Sequence, residues 1–436
     1  MKKRRRYSTK SRVPSRRWHV PPPLIHGPET LEGGEILQEW GSGLGVILWQ
    51  AFRDSVLWAT SAPESRAETF VTVGRSETRG SPEVATEPDP RLEAGLRILQ
   101  RIVTKPDSIR EAQVARACRQ LSEWADDKGR LETALAFAQS AALAVAQDAA
   151  AAFWVATIAV RLNDHARAEV WFRRAIGLAR QSRDWRMYSR SFGGLGNLYI
   201  RRGNLPAARR LHTRALRGAR RGGMRREQAT ALHDLFAVAV ETGSADEAER
   251  FARQALEAYG IRNRRVHVLA HDVAYFWMER GHFARALPIF QAVLPLMQRP
   301  IERLFVAADI ARAAGGVGDH ATAEASAAEV WSAAVEPEIE PGAARALLEV
   351  ARGYVSLDQT ERARSAAERA LALASKHRES RVRFAAEALI DSLGTRPETT
   401  IEEEVPSPLA QPNPDSGDQL AADLVRTLEV IAGEAP

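Results

Sequence analysis

The sequence predicts an all-α protein built as a solenoid of about seven helix pairs, and three recurring features support this fold class. An alanine recurs every 34 to 40 residues, at Ala134, Ala168, Ala208, Ala248, Ala286, Ala323 and Ala363. Five residues before each alanine lies a residue that favours turns, namely Gly129, Asn163, Gly203, Gly243, Gly281, Gly318 or Asp358. Eight residues before each turn lies an apolar side chain, namely Leu121, Val155, Leu195, Leu235, Val273, Ile310 or Val350. Each unit is therefore predicted as helix, tight turn, helix, which is typical of stacked helical arrays.

The second helix of each unit continues its apolar face four residues after the alanine, at Ala138, Phe172, His212, Ala252, Phe290, Ala327 and Ala367. Residues four apart share one side of a helix, so this column faces the same neighbour as the alanines. In the first helix, the residue after the apolar position is usually small, as at Gly196, and Phe236 is an exception. Small residues at this position predict close approach of the two helices of a pair.

The stretch GLGNLYIRRGN, residues 194–204, has glycines that are also found in phosphate-binding loops. No predicted strand precedes it, as a dinucleotide or phosphate fold requires. We therefore interpret Gly194 and Gly196 as packing glycines inside a first helix. Asn204 is expected to cap the next helix, with Pro206 at an early helical position.

These columns resemble the tetratricopeptide repeat. The best match is residues 192–215, F-x-x-L-G-x-x-Y-x-x-x-G-N-x-x-x-A-x-x-x-H-x-x-A, and the resemblance covers residues 110–377. It implies a right-handed α-α superhelix whose first helices line a groove. Most units approach 40 residues and lack the proline that often closes the 34-residue unit. This departure is similar to the subclass that includes kinesin light chains and bacterial Rap-type regulators, and it implies longer second helices.

The segments before the repeats differ in charge and pattern. Residues 1–34 are predicted as a basic, Pro-rich disordered tail, because residues 1–17 hold nine Lys or Arg and no acid. This tail is either solvated or in contact with nucleic acid or an anionic membrane surface. Residues 35–109 are predicted as an N-terminal helical extension that includes a degenerate leading repeat. Its helix at 47–59 is interpreted either as docked on the first repeat or as a partner-binding helix, because of Ile47, Leu48, Ala51, Phe52, Ala59, Trp49 and Trp58.

Three segments follow the repeats. Residues 378–394 are predicted as a capping helix that covers the last apolar face of the array. Residues 395–417 form an acidic, Pro-rich linker that is expected to be disordered. Residues 418–436 are predicted as an amphipathic helix with Leu420, Leu424, Leu428 and Ile431 on one side. Two interpretations remain open for this helix: it docks on its own chain, or it is a motif for another protein.

Composition and charge restrict the class of protein. The chain has 436 residues and a formal net charge of +6, so residues 18–436, which follow the basic stretch at 1–17, carry 6 − 9 = −3. Cys118 is the only cysteine, which excludes an intrachain disulfide and a cysteine-based zinc finger. The apolar stretch at 44–52 is shorter than the roughly 18 residues of a membrane span. No signal-peptide apolar region follows the basic start, and we expect a cytoplasmic protein without a membrane span.

The repeat register places thirteen side chains on the predicted groove: Arg119, Glu123, Phe153, Thr157, Arg190, Asn197, His233, His271, Tyr275, Met278, Arg312, Arg345 and Arg352. The resemblance implies that Asn197 bonds the main chain of a bound peptide, because an amide both donates and accepts. The alternative is a solvated or intrahelical amide. The arginines are interpreted either as ligands of acidic residues or a C-terminal carboxylate, or as ordinary exposed helix arginines.

Two His-Asp dipeptides, at 233–234 and 271–272, occupy equivalent positions of neighbouring units. Two His and two Asp are a ligand set that zinc accepts. Adjacent helical residues point about 100° apart, and stacked helices lie roughly 10 Å from each other, so neither pair chelates as a unit. We therefore expect no metal here and favour a polar, pH-sensitive element of the groove.

A basic patch is predicted over the second helix of the third unit and the loop after it, at Arg209, Arg210, Arg214, Arg217, Arg220, Arg221, Arg225 and Arg226. One interpretation is a solvated outer face partly paired with acids such as Glu227. The other is contact with nucleic acid or an acidic protein. Interleaved aromatic residues are absent from this stretch, which weakens the nucleic-acid interpretation.

The sequence contains no HExxH, GxSxG or Walker pattern. We therefore predict no catalytic residues and no cofactor, and do not expect an enzyme. The first hypothesis is a scaffold or adaptor whose groove binds a peptide or helical segment of another protein, in bacterial signalling or regulation. The alternative is a nucleic-acid-associated regulator that uses the basic tail and the basic patch. The oligomeric state is left open.

Overall fold

The computed structural model describes residues 34–76, 89–337, 339–394 and 414–433. Apart from Gly34, the predicted basic tail lies outside the described residues. Residues 395–413 of the predicted linker also lie outside them. The described chain divides into two compact parts. From here on, the first unit means the residues up to 227 and the second unit means the residues from 228 onward.

Within the described residues, every regular element is a helix. Four α-helices precede the repeats: α1 (Gly34–Trp40), α2 (Leu44–Thr60), α3 (Arg66–Ser76) and α4 (Pro90–Thr104). Seven pairs follow: α5 (Glu111–Asp127) with α6 (Leu131–Ala144), α7 (Ala149–Arg161) with α8 (His165–Ser182), α9 (Trp185–Arg201) with α10 (Leu205–Arg221), α11 (Arg225–Glu241) with α12 (Ala245–Tyr259), α13 (Val266–Met278) with α14 (Phe283–Val293), α15 (Pro300–Val317) with α16 (His320–Ala333), and α17 (Glu340–Ser356) with α18 (Thr360–Lys376).

Two more α-helices, α19 (Ser380–Gly394) and α20 (Pro414–Gly433), follow the pairs, and short 3-10 helices lie at Pro63–Ser65, Pro106–Ser108 and Leu294–Leu296. The predicted fold class is confirmed: the chain is an all-α solenoid of seven helix pairs, with a helical extension before them and a capping helix after them.

The turn inside each pair is determined by local backbone chemistry. All seven predicted turn residues have a positive φ, between 56° and 78°. Glycine adopts this conformation without steric cost, and Asn163 and Asp358 are of the types that tolerate it best. The next residue is the N-cap of the second helix, and in three of the seven pairs its side chain accepts a hydrogen bond from the helix backbone, as where Asn204 accepts a hydrogen bond of 3.1 Å from the backbone N–H of Ala207. Two to four residues therefore separate the two helices of each pair.

The alanine column forms the contact between the helices of each pair. All seven of its members are at most 2 % exposed. Gly196 lies at a close approach of α9 and α10, since a Cβ there would lie 2.5 Å from the ring of the buried His212. The interpretation of Gly196 as a packing glycine is confirmed. In the fourth pair, Phe236 is also buried, and its ring meets Phe276 edge to face at 5.9 Å.

The first and second helices of the pairs have similar lengths. First helices contain 13 to 18 residues and second helices 11 to 18. The shortest is α14, which contains Pro288 and passes into a 3-10 helix. A proline inside a helix removes one backbone hydrogen bond and favours an early end.

The N-terminal extension packs on the first pair. Helix α2 lies against α4, α5 and α6, and the fully buried Phe52 meets Phe137 of α6 with ring centroids 6.2 Å apart. The indole of Trp58 donates a 3.1 Å hydrogen bond to the carbonyl oxygen of Pro106. These contacts favour the docking interpretation of this helix. Cys118 is buried in the same core, and burial raises the pKa of its thiol to about 12.

The two last helices pack on the second unit. Helix α19 lies against α17 and α18. Helix α20 packs on α12, α13 and α14, with Leu420, Leu424 and Leu428 fully buried. At its start, the Arg285 guanidinium lies 2.5 Å from the carboxylate of Asp418. Of the two interpretations of the C-terminal helix, the structure therefore shows the one in which it docks on its own chain.

Candidate peptide-binding groove

A cleft of about 570 Å³ lies on the first helices of the second unit. Its lining comes from α11, from α13 and the two residues after it, and from one residue of α17, and comprises Phe236, Ala237, Val240, Glu241, His271, Asp272, Tyr275, Phe276, Glu279, Arg280 and Arg345. The hydroxyl-bearing ring of Tyr275 is half-buried, and burial raises the pKa of its hydroxyl group. Three of the predicted groove residues, His271, Tyr275 and Arg345, therefore share one site.

Histidines and aspartates of successive first helices form a ladder beside this cleft. His233 Nε2 on α11 lies 2.8 Å from Asp272 Oδ2 on α13. His271 Nε2 on α13 lies 2.9 Å from Asp309 Oδ2 on α15. Each histidine therefore pairs with the aspartate of the following helix pair, and the ladder connects three consecutive helix pairs.

The ladder holds its charges at neutral pH. Burial alone would lower the pKa of His271, but the carboxylates of Asp272 and Asp309 raise that pKa to about 9. Burial alone would raise the pKa of Asp272, but His233 and His271 lower it to about 2. His271 is therefore an imidazolium and Asp272 a carboxylate over the physiological range.

An arginine and glutamate cluster continues the ladder. Arg312 on α15 contacts the carboxylates of both Glu279 and Glu349, the latter at 2.7 Å. Arg352 holds the second oxygen of Glu349 at 2.8 Å, and Glu349 is only 3 % exposed. Burial alone would lower the pKa of Arg312, but the two carboxylates raise it. Arg312 and Arg352, two of the predicted groove arginines, thus neutralise a buried acid of the protein itself.

Arg345 differs from these two arginines. Its guanidinium lies 5.5 Å from the ring centroid of Tyr275 and 5.3 Å from that of Phe305. The residue is exposed, and among the described residues no carboxylate forms an ion pair with it. Two aromatic rings therefore orient a guanidinium whose hydrogen-bonding edge remains available.

Asp309 and Glu349 are acids of this network that sequence reasoning missed, whereas Asp272 was recognised in the second His-Asp dipeptide. Asp272, Asp309 and Glu349 stand directly before the apolar column of the first helices, as does Asp234. The first three helix pairs have Gln120, Trp154 and Gly194 at that position. An acidic residue recurs at one repeat position in four consecutive helix pairs. A comparison of the seven repeats at each position would have found this signal.

Met278 is a correction to the predicted groove. Its side chain is 1 % exposed, so it belongs to the core of the second unit. Residue 278 ends α13, where the helix turns towards its partner. A position at a helix end therefore did not follow the register of the helix centre.

The predicted groove residues of the first unit form smaller clusters. Arg119 pairs with Glu123 at 2.8 Å and lies over the ring of Trp154. Arg190 lies 4.8 Å from the ring centroid of Phe153. Thr157 donates a 3.0 Å hydrogen bond to the carbonyl oxygen of Phe153 within its own helix. Asn197 is exposed on α9.

The basic patch lies on α10 and the start of α11, and all eight of its arginines are exposed. Aromatic side chains of another helix lie against this patch, although its own stretch contains none. Arg221 lies 4.3 Å from the ring centroid of Trp185, and Arg214 lies 5.7 Å from that of Phe192. Both rings belong to α9, and Tyr188 connects them by edge-to-face contacts. Sequence reasoning missed these aromatics because they lie on the partner helix.

Two further properties bear on the class of site. In the part of the chain that the structure describes, no three His, Cys, Asp or Glu side chains are grouped so as to hold a metal ion. No described helix combines the length and the hydropathy that crossing a bilayer requires.

Residues 147–221 match the tetratricopeptide repeat family. The predicted resemblance to the tetratricopeptide repeat is confirmed over these residues. No curated protein sequence matches the chain.

Several solved structures are similar in fold. BtubC (BKLC) from P. vanneervenii is 17% identical, with 54% of this chain and 90% of that chain covered and a TM-score of 0.40. PilW, a type IV pilus biogenesis factor, is 18% identical, with 52% and 97% covered and a TM-score of 0.42. A Rap protein complexed with competence and sporulation factor is 15% identical, with 80% and 99% covered and a TM-score of 0.40.

Proposed function

We propose that this protein is an interaction scaffold that binds a peptide or helical segment of another protein in the cleft of the second unit. The observation that carries the proposal is the oriented and unpaired guanidinium of Arg345 beside the half-buried Tyr275. A few such anchors supply most of the binding energy of a peptide, while the surrounding contacts exclude water. We propose that the scaffold acts in the cytoplasm, in bacterial signalling or regulation.

The charges around the cleft favour a ligand that carries a carboxylate. Glu349 lies one helical turn after Arg345, but Arg312 and Arg352 already engage its two oxygens. Arg345 is therefore left to bind a carboxylate from outside, in the bidentate geometry that guanidinium groups favour. The ring of Tyr275 offers an aromatic surface next to it. A peptide with an acidic residue beside an apolar residue fits both groups.

The same charges argue for binding and against catalysis. His271 is the one imidazole that lines the cleft, and its pKa of about 9 keeps it protonated near neutral pH. A general base works best when its pKa lies near the operating pH. Glu279 lines the cleft as well, and it is held by Arg312. The ladder and cluster therefore serve to position the walls of the cleft.

Selection from a random peptide library on the purified full chain tests this proposal. We expect enrichment of peptides with an acidic residue, and about a tenfold or greater loss of affinity in Arg345→Gln, because one hydrogen bond to a charged group contributes about 1.5–3 kcal/mol. Tyr275→Ala is expected to weaken the same peptides. Arg369→Gln, which removes an exposed arginine of α18, is the matched control and should bind normally.

The outcomes separate the two units. Peptides that bind Arg345→Gln and Tyr275→Ala as tightly as the wild type would refute the cleft of the second unit as the binding site. Asn197→Ala tests the first unit, since Asn197 is exposed on α9, the first helix of the third pair. Loss of binding in Asn197→Ala alone would move the site to the first unit.

A further inference from the structure

The third helix pair has a charge composition unlike the rest of the chain. Residues 185–226 contain twelve arginines and no Asp or Glu. They form α9, α10 and the first residues of α11. Elsewhere after the basic tail, acids and bases are mixed, and residues 18–436 carry a net charge of −3. This pair is therefore a concentrated positive surface, because the other residues of 18–436 carry a net charge of −3 − 12 = −15.

The apolar side of α10 is used within the protein, and its arginines point outward. Ala208, Ala215 and Ala219 are buried, at most 1 % exposed. Gly218 and Gly222 bring α10 close to α9, since a Cβ at Gly218 would lie 2.6 Å from the ring of Tyr188. On the opposite side, four exposed arginines form one stripe, which we name the arginine face: Arg210, Arg214, Arg217 and Arg221.

The geometry of the arginine face follows from helical periodicity. Its members are spaced four, three and four residues apart, so they lie along one side of the helix. With a rise of 1.5 Å per residue, the stripe is about 16 Å long. One nucleic-acid strand advances 3.4 Å per phosphate, so this length corresponds to about five phosphates.

Ion pairs within the protein neutralise part of this charge. At the edges of the pair, Arg186 pairs with Glu227 and Arg202 with Glu169. Among the described residues, no carboxylate forms an ion pair with Arg210, Arg214 or Arg217. The rings of Trp185 and Phe192 lie beneath Arg221 and Arg214, and such contacts restrict the orientation of a guanidinium.

We propose that the arginine face binds the phosphate backbone of a nucleic acid. Guanidinium groups bind phosphate oxygens in a bidentate geometry, and four of them in a row match a linear polyanion. Contacts of this kind do not read the base sequence. The expected affinity is therefore electrostatic, independent of sequence and strongly dependent on salt.

Two other classes of partner fit less well. Within residues 185–226 no large apolar side chain is exposed, whereas a specific protein interface buries an apolar core. A membrane-surface helix inserts its apolar face into the lipid, but the apolar face of α10 is already packed against α9. A purely cationic stripe without an apolar anchor favours the nucleic-acid backbone over both.

Fluorescence anisotropy of the full chain with duplex DNA, duplex RNA and single-stranded RNA, between 50 and 200 mM salt, tests the proposal. The variant is the triple Arg210→Gln, Arg214→Gln, Arg217→Gln. Each lost phosphate contact lowers the slope of log Kobs against log salt by about 0.9 on duplex DNA, so we expect the slope to fall by about 2.7. Over this fourfold salt range, that difference corresponds to about a fortyfold smaller loss of affinity.

Two matched variants test whether the effect comes from the positive charges of the arginine face. One controls for changes in packing at these positions, and the other controls for the net charge of the whole chain. The triple Arg210→Lys, Arg214→Lys, Arg217→Lys keeps the charge and should keep the salt slope. The triple Arg362→Gln, Arg364→Gln, Arg369→Gln removes three charges from the second helix of the last pair, and should behave as the wild type. All variants retain the basic tail, so a difference between them comes from the arginine face.

Two results would overturn the proposal. An unchanged salt slope in the Arg210, Arg214 and Arg217 glutamine triple would show that nucleic acid, if bound, contacts the protein elsewhere. Binding of polyglutamate or of phosphatidylserine vesicles with the affinity of the nucleic acids would show that the surface accepts any anion and that the assigned partner is wrong. Unchanged peptide binding in the cleft of the second unit serves as the folding control for the triple.

Discussion

The ladder beside the cleft makes the stability of the second unit depend on pH. The imidazole of His271 is about one quarter exposed, with an exposed fraction of 24%, and lies 2.9 Å from the Asp309 carboxylate. Its pKa is raised from 6.5 to about 9. A group whose pKa is raised in the folded state stabilises that state fully when the pH is below the pKa of the group in the unfolded chain. This stabilisation is lost as the pH rises through the pKa of the group in the folded state. Between pH 6.5 and pH 9, the free energy of unfolding is therefore expected to fall by about 3 kcal/mol, at about 1.4 kcal/mol per pKa unit.

Urea unfolding at several pH values between 6 and about 10, together with NMR titration of the His271 imidazole, measures this effect. Asp309→Asn removes one partner of the buried pair, and such a loss costs about 3–5 kcal/mol at pH 6.5. The pKa of His271 should also fall in that variant, because a neutral amide does not stabilise the imidazolium. His271→Gln removes the titrating group and should flatten the pH dependence above 6.5.

The exposed His320, at the start of α16, provides the matched control. His320→Gln should leave the pH dependence as in the wild type. An imidazole of His271 that titrates near its ordinary value of 6.5, or a stability that does not change up to pH 9, would refute the reasoning from the ladder.

Two packing predictions follow. Gly353→Ala is expected to lower the free energy of unfolding by about 1–3 kcal/mol, because a Cβ there would lie 2.7 Å from the carbonyl oxygen of Ala311 on the neighbouring first helix. Gly394→Ala is the control, because a Cβ at that position has no neighbour within 4 Å. Equal urea midpoints of the two variants would contradict the prediction. Leu424→Ala is expected to cost about 2–5 kcal/mol, because Leu424 is fully buried in the docked helix α20. For this second change, Val430→Ala at a 38% exposed site is the control, and rapid amide exchange throughout α20 in the wild type would show that the helix is not docked in solution.

The first helices show how far the site itself followed from the sequence. The repeat register brought His271, Tyr275 and Arg345 to one predicted surface, and the structure places all three on one cleft. It did not distinguish Arg345, which stacks on Tyr275, from Arg312, which is held by Glu279 and Glu349. The register gives the side of a helix on which a residue lies. The partner of a long side chain depends on which acids the next unit supplies.

By itself, the sequence determined the helix pairs, because the signals for them are local. The positive φ at Asn163 and at Asp358, and the cap at Asn204, depend on residues within one turn of the chain. Only the tertiary structure decided the contacts between distant residues. His233 meets Asp272 across 39 positions, Arg221 covers a ring of the preceding helix, and Asp418 reaches Arg285 across 133 positions. Such pairs depend on how whole helices stack against each other, and no short stretch of sequence encodes that arrangement.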